Sequence, residues 1–286
     1  MKRLRFLQIP KTAGTTFNHI LFRQYYGKPS FSFSGDPAAD IARYEAISDR
    51  DKQNIALFIG HAPIVTGVID ADNAMTITFL RDPISRVKSF CQHAAEGKSP
   101  YLLHDFPPET FDLDQFLGSG NQELSNLQTK MLINKNVGGF SNSLIDNMSG
   151  EQARETALDN LYNKISHFGI QEFFDESLIL LGSALNWKMP YYFERNKKNT
   201  KKQIRFEERH IEKIASLNSI DIAVYQQAKA RFLELLDSEG FDNEKLEKLR
   251  FINGILRNPV LQFGGRVIGL TDRYARRLFR ATPLRL

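Results

Sequence analysis

"FLQIPKTAGTTF", residues 6–17, is an apolar run that ends at Pro10, followed by Lys11 and by small and hydroxylated residues around Gly14 before a second apolar pattern begins at Phe17. Extended back to residues 4–9 (LRFLQI), the first run reads as a strand. Residues 16–26, with Phe17, Ile20, Leu21 and Tyr25 on one face, read as a helix. A buried strand that turns straight into a helix leaves backbone N–H groups free at the helix start, where the macrodipole also favours an anion. Gly14 lets the backbone approach a phosphate, Thr12, Thr15 and Thr16 add hydroxyls, and Lys11 adds a charge. The stretch reads as a phosphate cradle; the plainer alternative is a turn with an exposed lysine. It is not a Walker A loop, in which the lysine follows the second glycine, whereas Lys11 precedes Gly14.

Residues 76–91, "TITFLRDPISRVKSFC", repeat the arrangement. A strand ends at Arg81 and Asp82, Pro83 stands where a first helical residue loses no hydrogen bond, and Ile84, Val87, Phe90, Cys91 and Ala94 mark a helix over 83–95. Arg81 and Ser89 are placed to grip a second phosphate, with Arg86 nearby, because a guanidinium binds phosphate as a fork. The alternative is a surface pair in which Asp82 is only a helix cap. Further strands are read at 54–59, 74–80 and 167–170, and helices at 38–48, 121–133, 150–164, 175–186 and 219–237. Strands alternating with helices predict right-handed crossovers and an α/β fold: a P-loop-like three-layer sandwich with a central parallel sheet flanked by helices.

The whole chain has 286 residues, 42% hydrophobic and 25% charged, which suits a globular protein with one sizeable core. Its net charge of +5 suggests anionic company, but that charge is uneven. Residues 245–286 hold ten Lys and Arg against Glu247 and Asp272, leaving residues 1–244 with 28 basic and 31 acidic side chains. A near-neutral body argues against a nucleic-acid-binding module, which would spread a basic stripe over its surface. The expected division is a catalytic domain over 1–240 and a basic, amphipathic, helical extension over 241–286. That extension is compatible with a helix lying on anionic lipid, with a homo-oligomer contact, or with a helix packed on the body. Cys91 is the single cysteine and no run approaches a membrane span, so a cytoplasmic setting is expected, with peripheral contact at the inner membrane face the variant.

The two motifs, "IPKTAGTTF" and "LRDPISRVKSF", resemble the nucleotide-binding signatures of the carbohydrate sulfotransferases, in particular the heparan sulfate 2-O and 6-O sulfotransferases and their bacterial relatives. The likeness continues through 58–63 (FIGHAP), 126–133 (NLQTKMLI), 168–181 and 217–232. It implies 3′-phosphoadenosine 5′-phosphosulfate (PAPS) as sulfate donor, with Lys11, Thr12, Gly14, Thr15 and Thr16 on the 5′ side and Arg81 and Ser89 on the 3′-phosphate. The basic loop "RNKKNTKK" resembles a segment that closes over the nucleotide, which makes Lys197, Lys198, Thr200 and Lys201 candidate contacts. Asn126 and Gln128 match a family motif with no assigned ligand. His61 corresponds to a histidine proposed as general base, with His93 and His104 in reserve; its alternative is a strand-end histidine held by hydrogen bonds.

Sulfuryl transfer should resemble phosphoryl transfer, governed by positioning and electrostatics, with Lys11 set against charge on the departing phosphate oxygen. No metal is expected, since the migrating group carries one negative charge and no His, Cys or Asp pattern has ligand spacing. The expected reaction is O-sulfation of a carbohydrate, either a glycan, a glycolipid or a polysaccharide precursor. The competing readings are an ATP-dependent small-molecule or nucleotide kinase and, last, a non-enzymatic nucleic-acid-binding protein.

Overall fold

The computed structural model describes residues 3–64, 74–133, 144–192, 203–238 and 240–256. Five strands, β1 (Leu4–Leu7), β2 (Ser30–Phe33), β3 (Leu57–Gly60), β4 (Met75–Leu80) and β5 (His167–Ile170), form one sheet in the order β2-β3-β1-β4-β5. Every pairing is parallel, with Leu4 registered against both Leu57 and Met75. The chain leaves β1, builds the edge on one side and returns to β3, then crosses to β4 on the other side. Strand order therefore reverses at β1, and the crevice beyond the C-terminal ends of β1 and β4 is where an open α/β sheet binds ligands.

The helices are α1 (Gly14–Gln24), α2 (Pro37–Glu45), α3 (Asp49–Asn54), α4 (Pro83–Ala95), α5 (Leu113–Gly118), α6 (Leu127–Ile133), α7 (Gly150–Asn163), α8 (Phe174–Ala184), α9 (Glu208–Leu217), α10 (Ser219–Leu236) and α11 (Asn243–Leu256). Period-2 alternation in the strands sends Leu4, Phe6, Leu57, Ile59, Ile77 and Phe79 into a core with Phe17, Ile20 and Leu21 of α1, Leu178 and Leu181 of α8, and Leu246 and Leu249 of α11. A second core gathers Leu7 and Leu80 with α6, α7 and α10. These are the expected three layers around a parallel sheet. Phe17 sits one turn beyond Gly14 with its ring 4.8 Å from Phe6 and 4.7 Å from Phe79, and burying it contributes about 2–3 kcal/mol to anchoring α1 behind its loop.

Two local expectations differ from the structure. The helix read over 121–133 is split into a 3-10 turn (Gln122–Leu124) and α6, because Asn126 adopts φ 42° between them. Over 219–237 the apolar spacing predicts a buried stripe of Ile222, Tyr225, Phe232 and Leu235, whereas along α10 the buried face runs through Asp221, Val224, Tyr225, Ala228 and Phe232, with Leu235 exposed and Ile222 half-buried. The stripe is rotated because the helix buries an aspartate, which an apolar count passes over. No helix among the described residues is long and apolar enough to cross a membrane.

Gly60 ends β3 at φ 138°, and a Cβ there would lie 2.6 Å from the Phe33 carbonyl oxygen on neighbouring β2. Gly60→Ala is expected to lower stability by about 2–3 kcal/mol, the scale of backbone strain at such a position, as measured by urea unfolding. A loss within about 0.5 kcal/mol, ordinary for a neutral surface change, would show that the strand end relaxes freely.

Candidate functional site

The site begins at the N-terminus of α1. Lys11 and Ala13 both have φ 69°, and this pair of left-handed residues swings the chain from β1 into the helix. Ala13 is the N-cap and supplies no side-chain acceptor, and no acidic residue stands in the first turn. By contrast α2, α3, α4, α5 and α7 are capped by the side chains of Asp36, Ser48, Asp82, Asp112 and Ser149. The first-turn N–H groups of α1 are thus directed at the crevice with the helix dipole behind them, an arrangement that accepts an anion.

The loop residues divide by environment. Thr15 is exposed and Thr16 half-buried, so their hydroxyls lie at the helix mouth. Thr12 is fully buried and its hydroxyl donates to the Ile9 carbonyl at 2.9 Å, which braces the loop from inside. Burial pulls the Lys11 ammonium down to about 8, with Arg81 and Lys98 acting the same way and Glu123 and Glu96 opposing. A cation held this far below its ordinary value is short of a counter-anion.

Arg81, at the end of β4, reaches across to the loop: its Nη1 donates to the Lys11 carbonyl at 3.1 Å, while its buried Nε has no hydrogen-bond partner among the described residues. Burial lowers its pKa, with Glu172 and Asp82 acting in the opposite direction. Its backbone is clamped by Gln128, whose Oε1 accepts from Arg81 N at 2.9 Å and whose Nε2 donates to Arg81 O at 2.8 Å. Asp82 caps α4 through Ser85 N at 2.8 Å, as its plainer reading had it, and Ser89 is half-buried farther along that helix. Arg86 is fully buried, donates to the Glu123 carbonyl at 2.8 Å and is turned into the protein.

Asn126 and Gln128 belong to the framework. Asn126 Oδ1 accepts from Ile220 N and Asp221 N at the start of α10, while Asp221 returns the favour by accepting from Gln128 N, Thr129 N and Thr129 Oγ1 at the start of α6. Each helix caps the other, and Gln128 passes that rigidity to Arg81.

His61 follows Gly60 at the end of β3. Its Nδ1 is 2.8 Å from the Gln8 carbonyl oxygen, so Nδ1 carries a proton, and in the neutral ring Nε2 keeps its lone pair. Burial lowers its pKa; the bond to Gln8 and the Glu123 charge raise it, and Lys11 lowers it further. The segment after His61 is tied from below by Arg5, a buried arginine of β1 that donates to the carbonyls of Pro63 and Ile64. His93 lies half-buried on α4, pulled down to about 4 by burial and by Lys11 and Lys98. His104 is exposed and hydrogen-bonded to Asp105.

The fold therefore brings Lys11, Gly14, Thr15, Thr16, Arg81 and His61 to the C-terminal ends of three adjacent strands. Lys197, Lys198, Thr200 and Lys201 lie outside the described residues. Sequence reading passed over Gln8, Glu123 and Glu172. Gln8 had a visible signal, since it is the polar residue interrupting the run before Pro10. Glu172 accepts from Asp82 N at 3.1 Å and from the Tyr225 hydroxyl at 2.9 Å, a tie between β5, α4 and α10 that no local pattern displays. Among the described residues no three His, Cys, Asp or Glu side chains gather as a metal-binding group.

A family model described as galactose-3-O-sulfotransferase matches residues 1–268. Among curated proteins, heparan-sulfate 6-O-sulfotransferase 2 of Gallus gallus is 26% identical over an alignment of 183 residues, and the match covers 57% of this chain and 45% of that protein. The chain thus spans less than half the length of this relative.

Proposed function

The chain belongs to the galactose-3-O-sulfotransferase family, a family of carbohydrate sulfotransferases, and from that premise we propose that it moves the sulfuryl group of PAPS to a carbohydrate hydroxyl with His61 as general base. The observation that carries this reading is the uncapped, acid-free start of α1 at the reversal of strand order, with Lys11 and Arg81 on either side. The residues fit the nucleotide: Gly14, Thr15, Thr16 and Lys11 would hold its 5′ side, and Arg81, whose Nε is buried without a partner among the described residues, would hold the 3′-phosphate with Ser89.

PAPS, when bound, supplies a sulfuryl group on a phosphate leaving group. The chain's own residues do the rest. The α1 amides and Lys11 stabilise negative charge on the phosphate oxygens without having to reorganise. An anion at this point restores the charged form of Lys11 that burial disfavours. His61 offers Nε2 to the acceptor proton, while Nδ1–H stays on the Gln8 carbonyl and fixes the ring. In this reading residues 1–240 carry the reaction and 241–286 extend it, with α11 folded against α8 through Arg250 and Glu176 at 2.7 Å.

Calorimetric titration with 3′-phosphoadenosine 5′-phosphate (PAP), beside ADP and ATP with Mg²⁺, tests the reading. PAP is expected to bind without metal and more tightly than ADP. Arg81→Ala is expected to erase the preference for the 3′-phosphate, a loss of about 10- to 100-fold in PAP affinity, as befits a charge-assisted contact. Preference for ATP with Mg²⁺ would make the protein a kinase, and an Arg81→Ala variant that still discriminates would move the 3′ site elsewhere.

A further inference from the structure

Gln8 stands between the two halves of the proposed site. It is the first residue after β1, and its main chain and side chain both face functional groups. Its carbonyl accepts from His61 Nδ1 at 2.8 Å. Its side-chain Nε2 lies 3.5 Å from His61 Nε2, the outer limit of a hydrogen bond, and its Oε1 accepts from Asn18 Nδ2 of α1 at 3.0 Å. With Oε1 committed to Asn18, the amide N–H₂ is the face turned to the imidazole. Gly14 makes the room: a Cβ there would lie 2.6 Å from Gln8 Nε2 and 2.9 Å from its Cδ. The glycine that opens the phosphate loop is therefore also the residue against which this amide rests, and Asn18, one turn later on the same helix, holds it there.

From this geometry we infer that Gln8 is the positioning residue of His61, gripping the ring at both nitrogens and keeping Nε2 unprotonated and aligned with the phosphate loop. This rests on the proposed role of His61 as base and deepens it. A neutral imidazole with a proton on Nδ1 satisfies both contacts: it donates to the carbonyl and turns its lone pair toward the amide N–H. An imidazolium would set an Nε2–H against the amide hydrogens, so the side-chain amide of Gln8 opposes protonation of the base, while the bond from Nδ1 to the Gln8 carbonyl favours it. Among the described residues the charged groups that bear on His61 are Lys11, from the loop after β1, which acts in the same sense, and Glu123, from the turn before α6, which acts against it. To bond both nitrogens at ordinary lengths an acceptor hydroxyl needs them roughly 4.5 Å apart, so the amide has to yield by about 1 Å as the hydroxyl enters. Gln8 is thus also the side chain that the acceptor displaces on its way to the base.

The test needs no acceptor. The ring of His61 is titrated by NMR in the full chain, in the native sequence, in Gln8→Met, which keeps the bulk and removes the donor, and in Gln8→Glu, which puts an anion in its place; PAP affinity is measured on all three. The native ring is expected to be the Nδ1–H tautomer, with its midpoint rising by about one pH unit in Gln8→Met and further in Gln8→Glu. PAP affinity in Gln8→Met should stay within about twofold, because the amide is not a phosphate ligand in this scheme. Should Gln8→Met fail to fold, Gln8→Glu and Gly14→Ala, whose methyl displaces the amide, report on the same contact. A His61 midpoint unmoved in the folded variants, or a native Nε2–H tautomer, overturns the inference even if PAP binds. Absence of PAP binding together with the expected shifts removes the sulfotransferase reading and leaves Gln8 as the residue that governs His61.

Discussion

His61→Ala is expected to lower turnover about 100-fold or more while leaving PAP affinity within about twofold, the signature of a lost general base. Among the described residues the hydrogen bonds that link the histidine to the chain entering the proposed nucleotide loop run to Gln8, so its removal is expected to leave Lys11, Arg81 and the α1 amides in place. Transfer from radiolabelled PAPS to a simple β-galactoside, chosen as probe acceptor, measures the first quantity, and calorimetry measures the second. The pH profile adds a check. The base acts in its neutral form, and burial first, then Lys11, holds its pKa below the ordinary histidine value. The acid limb of kcat/KM therefore falls below about pH 6.5, and activity disappears as the pH drops through that limb. Turnover that survives the substitution would take the role from His61 and pass it to His93, which shares the Lys11 neighbourhood and is neutral over the same range.

The second large effect concerns a residue that touches no ligand. Asp221→Ala is expected to destabilise the protein by about 3–5 kcal/mol, the usual result of deleting one partner from a buried charge network. Asp221 is completely buried and accepts from two backbone N–H groups and the hydroxyl of Thr129 at the start of α6. It is also the carboxylate that most favours the charge of Arg86, a buried guanidinium whose Nε and Nη1 have no hydrogen-bond partners among the described residues. Its removal orphans three donors and leaves Glu123 as the carboxylate among the described residues that still favours that charge. The loss should reach the site, because Gln128 transmits the alignment of α6 to the backbone of Arg81. Chemical denaturation gives the stability, and PAP titration of the folded fraction is expected to show weakened affinity. Asp221→Asn, which keeps an acceptor but not the charge, should fall between the two. A loss below about 1 kcal/mol in Asp221→Ala would mean that α6 is held by packing alone.

The proposed phosphate loop was legible as a strand-turn-helix because its geometry is local. A strand, a turn with Gly14 and Lys11, and a helix beginning near Phe17 lie within twelve residues, and the anion-accepting amides follow from backbone geometry alone. The same holds for Arg81, Asp82 and Pro83 at the second strand end. Hydrophobic periodicity likewise fixed the parallel α/β class, since it is set by which face each short segment must bury. β2 escaped notice because "SFSF" is four residues long, and its burial depends on β3 and on Tyr44 of α2. Three matters were decided by the tertiary structure alone. Asn126 and Gln128 turned from unassigned motif residues into the reciprocal caps and clamp that hold Arg81, through partners up to 95 residues away. Arg86 and Thr12, which sequence groups with the ligand-facing residues, were drawn into the core by hydrogen bonds to carbonyls. The Nδ1 proton of His61 was placed by the carbonyl of Gln8, 53 positions earlier in the chain and adjacent because β1 and β3 pair in register, while burial lowers the pKa of the ring. Sequence alone determined which residue types stand at the strand ends, because side-chain chemistry and backbone period travel with the chain. Their protonation, orientation and exposure came from the sheet order and from what each residue is buried against, which depend on contacts between segments far apart in sequence.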